Sequence, residues 1–227
     1  MDISSKMSDD RAQRDILCSG SLKPVEVQCM LYSGAAEGAD KAFSIAAYRA
    51  GHDIVNLSFK GHRIANSVKG EVRILSQFEL DLAIPDLNAC ARKINRNIAR
   101  SKPYILNLLK RNYYQIYIDD DGSDNEHKMT TALYAVITKF DKGHLIPGGT
   151  SWAINMYLDA LTAESAPKRQ AYIFVEDKEM WYRWSWSKQK WRHMTKTSPP
   201  RPSGNYTGIG SREITDIGRR AIEQLYL

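Results

Sequence analysis

The sequence predicts an α/β fold with a mostly parallel sheet and helices on both faces. Three observations predict it. Short apolar runs alternate with amphipathic helical stretches along most of the chain. Residues 25–59 read as strand, glycine-containing loop, helix, glycine, strand, which is a βαβ unit and implies a parallel pair. Three separate junctions between a strand and a helix carry loops of small residues.

The first strand is expected over 25–32 (VEVQCMLY), after a poorly specified N-terminal arm, 1–24. Ala39, Ala42, Phe43, Ala46, Ala47 and Ala50 then recur at helical spacing and mark one apolar face. Gly51 is the expected stop, and 52–59 (HDIVNLSF) returns as a strand. Residues 60–130 read as mostly helical and polar, with helices over 80–98 and 104–116 divided near Pro103. An acidic loop, 119–125 (DDDGSDN), lacks the Glu that an EF-hand needs at its twelfth position and reads as solvated. Strands follow at 133–138 and 171–175, with a helix between them that carries Ala153, Ile154, Tyr157, Leu158 and Leu161 on one face. Residues 181–191 (WYRWSWSKQKW) alternate aromatic and polar and predict a small aromatic β-hairpin, an insertion over about 178–196. A proline-rich connector, 197–204, leads to a final strand end and a helix that Thr215 is expected to cap. The whole makes one domain, 25–227, with about four or five mostly parallel strands.

Composition excludes several classes. No apolar run reaches the roughly 18 residues of a membrane span, and the polar N-terminus has no signal-peptide core. The expectation is a cytoplasmic protein with no membrane partner. The three cysteines, Cys18, Cys29 and Cys90, are scattered and have no zinc-ligand spacing. They read as free thiols, with no metal and no cofactor expected. A net charge of +6 suits an anionic partner without identifying one.

The glycine-rich loops carry the chemistry. They are Ser33-Gly34-Ala35-Ala36-Glu37-Gly38-Ala39-Asp40, Pro147-Gly148-Gly149-Thr150 and Gly208-Ile209-Gly210-Ser211-Arg212. A helix N-terminus presents unpaired N–H groups and a partial positive charge, which suits phosphate. In a Rossmann-like sheet such loops gather at the carboxyl ends of the strands. Gly148, Gly149 and Thr150 are the expected phosphate cradle, Ser33, Gly34 and Gly38 the second wall, and Arg212 a forked phosphate contact beside Gly208, Gly210 and Ser211. Arg111, Asn112 and Gln115 share one helical face and are candidates for reading a base or ribose, with a polar helix surface the alternative. His144, just before the second loop, is a further candidate donor to an anion.

These loops resemble those of a known group. Residues 32–43, containing Ser33-Gly34-Ala35-Ala36-Glu37-Gly38-Ala39-Asp40, are similar to the SGGAxGAD loop of the SLOG superfamily, which unites the DNA-processing protein DprA with the Lonely-Guy phosphoribohydrolases. Pro147-Gly148-Gly149-Thr150 resembles its PGGxGT loop, and Gly208-Ile209-Gly210-Ser211-Arg212-Glu213 its GxGSR loop. Arg111-Asn112-Tyr113-Tyr114-Gln115 is similar to an RNxxQ segment of phage-encoded members, which implies a phage protein acting in the host cytoplasm. In the common arrangement the GxGSR strand comes first; here it comes last, so the resemblance implies a circularly permuted order.

The resemblance implies a protein that binds a nucleotide or nucleotide-derived phosphate ligand, to sense, sequester or modify it. Two alternatives stand beside it. A phosphoribohydrolase cleaving a nucleotide N-glycosidic bond needs a carboxylate, but the Glu that the family places after PGGxGT is absent and Asn155 cannot act as a base. Glu37, Asp40 and Glu213 are the remaining candidate acids. A DprA-like module instead stacks single-stranded nucleic acid on Trp181, Trp184, Trp186 and Trp191, interleaved with Arg183, Lys188, Lys190 and Arg192. The same aromatic hairpin equally suits packing on the sheet or a homodimer contact.

Overall fold

The computed structural model describes residues 28–118, 128–141, 145–161, 169–195 and 198–227. The N-terminal arm, residues 25–27 of the first strand, the acidic loop, Cys18 and His144 lie outside the described residues.

Strand β1 (Met30–Ser33) runs into helix α1 (Ala39–Arg49), whose Ala39, Phe43, Ala46 and Ala47 are buried as the helical spacing requires. The helix ends where expected: the His52 and Gly51 N–H groups donate to the carbonyls of Ala47 and Tyr48, a six-to-one and five-to-two pair that closes the last turn. Strand β2 (Asp53–Phe59) then pairs parallel to β1.

The stretch read as mostly helical contains a strand. β3 (Glu71–Leu75) pairs parallel to β2 at the sheet edge. An edge strand is solvated on one side, so its polar residues hid it. The helix expected over 80–98 is two helices, α2 (Gln77–Leu82) and α3 (Ile84–Lys93), broken at Ala83 before Pro85. Ser76 and Glu79 form a capping box that starts α2. Helix α4 (Pro103–Ile116) follows, then a two-residue ribbon of β4 (Tyr117–Ile118) and β5 (Lys128–Met129).

Strand β6 (Ala132–Ile137), helix α5 (Thr150–Asp159) and strand β7 (Gln170–Val175) make a second parallel unit. β8 (Met180–Ser185) and β9 (Lys190–His193) extend the sheet antiparallel beyond β7. Strand β10 (Asn205–Gly210) inserts between β1 and β6, and the chain ends with α6 (Asp216–Gln224). Among the described residues the sheet has eight strands in the order β3-β2-β1-β10-β6-β7-β8-β9, six of them parallel where four or five were expected beside the hairpin. The fold is α/β and Rossmann-like.

One core holds α1 and α6 against the sheet, and the other holds α2 to α5 against the opposite face. Thr215 does not cap α6 with its own side chain. Glu176 does so from after β7, its Oε1 accepting from the Thr215 N–H and hydroxyl, both at 2.7 Å. No described helix is long and apolar enough to cross a membrane.

Candidate functional site

The winding of the chain sets the site's position. β1 connects to β2 over one face through α1, whereas β6 connects to β7 over the other through α5. The direction reverses around β10, and such a reversal opens a crevice beyond the carboxyl ends of the strands. A cavity of about 450 Å³ lies there. Its walls come from all three glycine-rich loops, including Ala36, Glu37 and Asp40 after β1, Pro147 to Thr150 before α5, and Ile209 to Arg212 at the end of β10. Helix α4 closes one side with Tyr104, Ile105, Leu108, Leu109, Arg111 and Asn112.

The loops play unequal parts. The β1–α1 loop is plugged by the β10 loop: the Ala39 N–H, the first of α1, donates to the Ser211 carbonyl at 3.0 Å, and the Lys41 N–H to the Ala36 carbonyl at 3.1 Å. Gly38 has φ +88°, and a Cβ there would collide with the Arg212 and Ser211 carbonyls. Gly34 has no room for a Cβ because the Arg111 guanidinium lies against its backbone. Ser33 is buried and donates within the loop framework, to the carbonyls of Asp40 and Gly208. Ser33, Gly34, Gly38 and Gly208 thus do not line the cavity as a second wall; they let the two loops and α1 pack together.

The α5 loop is open. Gly148 turns the chain at φ +66° with empty space above it. The Gly148 carbonyl accepts from Arg96 Nη1 at 2.9 Å and Ser151 Oγ at 2.8 Å, and the Gly149 carbonyl from Asn112 Nδ2 at 3.3 Å. With these carbonyls held, the start of α5 has no side-chain cap and no acidic residue in its first turn. That leaves its partial positive charge facing the cavity wall formed by Gly149 and Thr150.

Arg111 and Asp40 form a buried pair under the cavity, Nη1 to Oδ2 at 3.3 Å. Burial raises the Asp40 carboxyl and lowers the Arg111 guanidinium from their usual values, and each is opposed by the other's charge. The Asp40 carboxylate also accepts from the Ala36 and Gly210 N–H groups, which ties the β1 and β10 loops together. Gln115 is fully buried and accepts from Arg111 at 2.8 Å. Arg111 and Asn112 line the cavity and Asn112 braces the α5 loop, whereas Gln115 does not reach the cavity.

Among the candidate acids, Glu37 is half exposed and paired with Lys41 at 3.3 Å. Glu213 is exposed and does not line the cavity. Arg212 is exposed, lines the cavity, and makes no ion pair among the described residues. Among these residues no cluster of His, Cys, Asp and Glu is placed to hold a metal ion.

Of the hairpin's four tryptophans, Trp181 and Trp191 are buried and Trp184 and Trp186 half-buried. Trp181 joins the α1–α6 core against Phe174, and Trp191 joins the other core edge-to-face with Trp184. A groove of about 760 Å³ runs between α5 and the hairpin, but none of the three strand-end loops lines it.

Two residues escaped the sequence reading. Tyr104 lines the cavity from the first turn of α4. His62 follows β2, and the Ala65 N–H donates to the Ala35 carbonyl at 2.8 Å, tying this segment to the β1–α1 loop. The available signal was position alone: 60–65 follows a strand at the same sheet end as the loops.

Comparison with protein-family models, with curated proteins and with solved structures gives no match to this chain.

Proposed function

We propose that this protein binds a nucleotide or nucleotide-derived phosphate ligand in the cavity at the carboxyl ends of β1, β10 and β6. The observation that carries the reading is the convergence of the open α5 start and the unpaired Arg212 on one cavity above a buried arginine. Backbone N–H groups at Gly149 and Thr150 and the Arg212 fork supply the contacts an anionic phosphate needs. A volume of about 450 Å³ suits a ligand of mononucleotide size.

The disposition of the carboxylates favours binding over hydrolysis. Asp40 spends its oxygens on Arg111 and two backbone N–H groups, Glu213 lies off the cavity, and Glu37 is an exposed carboxylate at its rim. The protein senses or sequesters its ligand, in the manner of a SLOG-like domain with permuted strand order. Burial of Trp181 and Trp191 withdraws two of the four tryptophans from a single-strand platform.

The test is a calorimetric titration with AMP, GMP, CMP and UMP, followed by chromatography of the mixture. Saturable binding with the nucleotide recovered intact is expected. Release of free base would replace this reading with the N-glycosidase one. Absence of binding to every mononucleotide, with binding to single strands, would overturn it.

A further inference from the structure

The phosphate contacts account for only one side of the cavity. On the α4 side the Tyr104 hydroxyl is buried with no hydrogen-bond partner. Its ring meets Phe59 edge-to-face, with centroids 5.8 Å apart. On the same Phe59 the His62 ring stacks at 5.1 Å. His62 is 9% exposed; its Nδ1 is taken by Ser58 Oγ at 3.0 Å, and its buried Nε2 has no partner. Two unpartnered polar atoms flank one aromatic ring, one on a residue that lines the cavity and the other on the segment that the Ala65–Ala35 hydrogen bond ties to the β1–α1 loop; this is unusual, because buried polar groups are nearly always paired.

The protonation state narrows what they can bind. Burial lowers the His62 pKa to about 4, helped by the charges of Arg111 and Arg212, so the imidazole is neutral near pH 7. A neutral imidazole and a phenol bring no positive charge to balance a second phosphate. They are good partners for hydroxyl groups, which both donate and accept.

We propose that Tyr104 and His62 form a hydroxyl-recognition subsite that holds the ribose diol of the ligand, with the phosphate at the α5 start. This rests on the nucleotide reading above and adds ribose over deoxyribose selectivity to it. A site built to bond a hydroxyl discriminates against an analogue lacking it, because its own polar groups are then left unpaired.

The experiment compares the same four ribonucleoside monophosphates with their 2′,3′-dideoxy counterparts in calorimetric titrations of the wild-type chain, Tyr104→Phe and His62→Gln. The wild type should bind the ribonucleotide about tenfold or more tightly, and the ratio should fall several-fold in each variant. If Tyr104 and His62 are only packing groups, the variants shift the unfolding midpoint and leave the ratio untouched, which overturns the proposal. Equal affinity for ribo and dideoxy forms in the wild type overturns it as well, while leaving the phosphate site standing. Failure of both forms to bind removes the nucleotide reading and this one together. His62→Gln keeps a polar group on Ser58, and Tyr104→Phe keeps the ring on Phe59, so a folded variant is available for the comparison.

Discussion

Arg111 and Asp40 meet 3.3 Å apart in the interior, and the guanidinium lies on the bare backbone of Gly34. Helix α4 is thereby locked onto the β1–α1 loop beneath the cavity. Asp40→Asn leaves the arginine charge buried without a counter-charge and should cost about 3–5 kcal/mol. Adding Arg111→Met should recover part of that loss, since removing both charges avoids the uncompensated one. Denaturant titrations of the single and double variants read the coupling; strict additivity would show that the pair does not interact.

Gly218→Ala is expected to destabilise the protein, although alanine is usually preferred in a helix by about 1 kcal/mol. A Cβ at Gly218 would press on Glu176 Oε1 at 2.5 Å, the same oxygen that caps α6 through Thr215. Loss of that cap costs about 1 kcal/mol and offsets the gain in propensity, and the crowding of the new Cβ against Glu176 and Val136 Cγ1, 3.1 Å away, makes the net change destabilising. A raised unfolding midpoint in the variant would contradict the assigned cap.

His62 makes stability depend on pH in a defined window. Its folded pKa is lowered from 6.5 to about 4, so as pH falls below 6.5 the unfolded chain takes up the proton first. Stability from this group is present above pH 6.5, is lost as pH falls towards about 4, and changes no further below that. The difference in denaturant midpoint between wild type and His62→Gln should therefore change between those limits and be flat above them. A flat difference throughout would contradict a neutral buried imidazole.

Glu37→Gln should leave ligand affinity within about twofold, because its half-exposed carboxylate is engaged with Lys41 and such surface pairs contribute little. A loss of tenfold or more in titration would place Glu37 in contact with the ligand.

Much of this arrangement was legible in the sequence. The helical face of Ala39, Phe43, Ala46 and Ala47 and the apolar run of β7 follow from periodicity alone. The convergence of the three loops follows from the strand–loop–helix order. β3 was not legible, because Glu71 and Arg73 interrupt it at a solvated edge. Nor was the division of labour among the glycines. Gly34 and Gly148 look alike in sequence, but one accommodates Arg111 from α4 and the other faces open space, a difference set by contacts distant along the chain. Asp40 was one of the carboxylates left as candidate acids once the Glu after PGGT was missing, and the sequence could not show that burial brings it Arg111 and two loop N–H groups.

The central claim is that a mononucleotide phosphate sits at Gly149, Thr150 and Arg212. Thermal unfolding of the wild type and of an Arg212→Ala, Thr150→Ala double variant, with and without a ribonucleoside monophosphate, tests it most directly. At about 100 times the dissociation constant the ligand should add about 2.7 kcal/mol to the wild type, visible as a rise in midpoint, and little to the variant. An equal rise in both proteins, or none in either, would contradict the account.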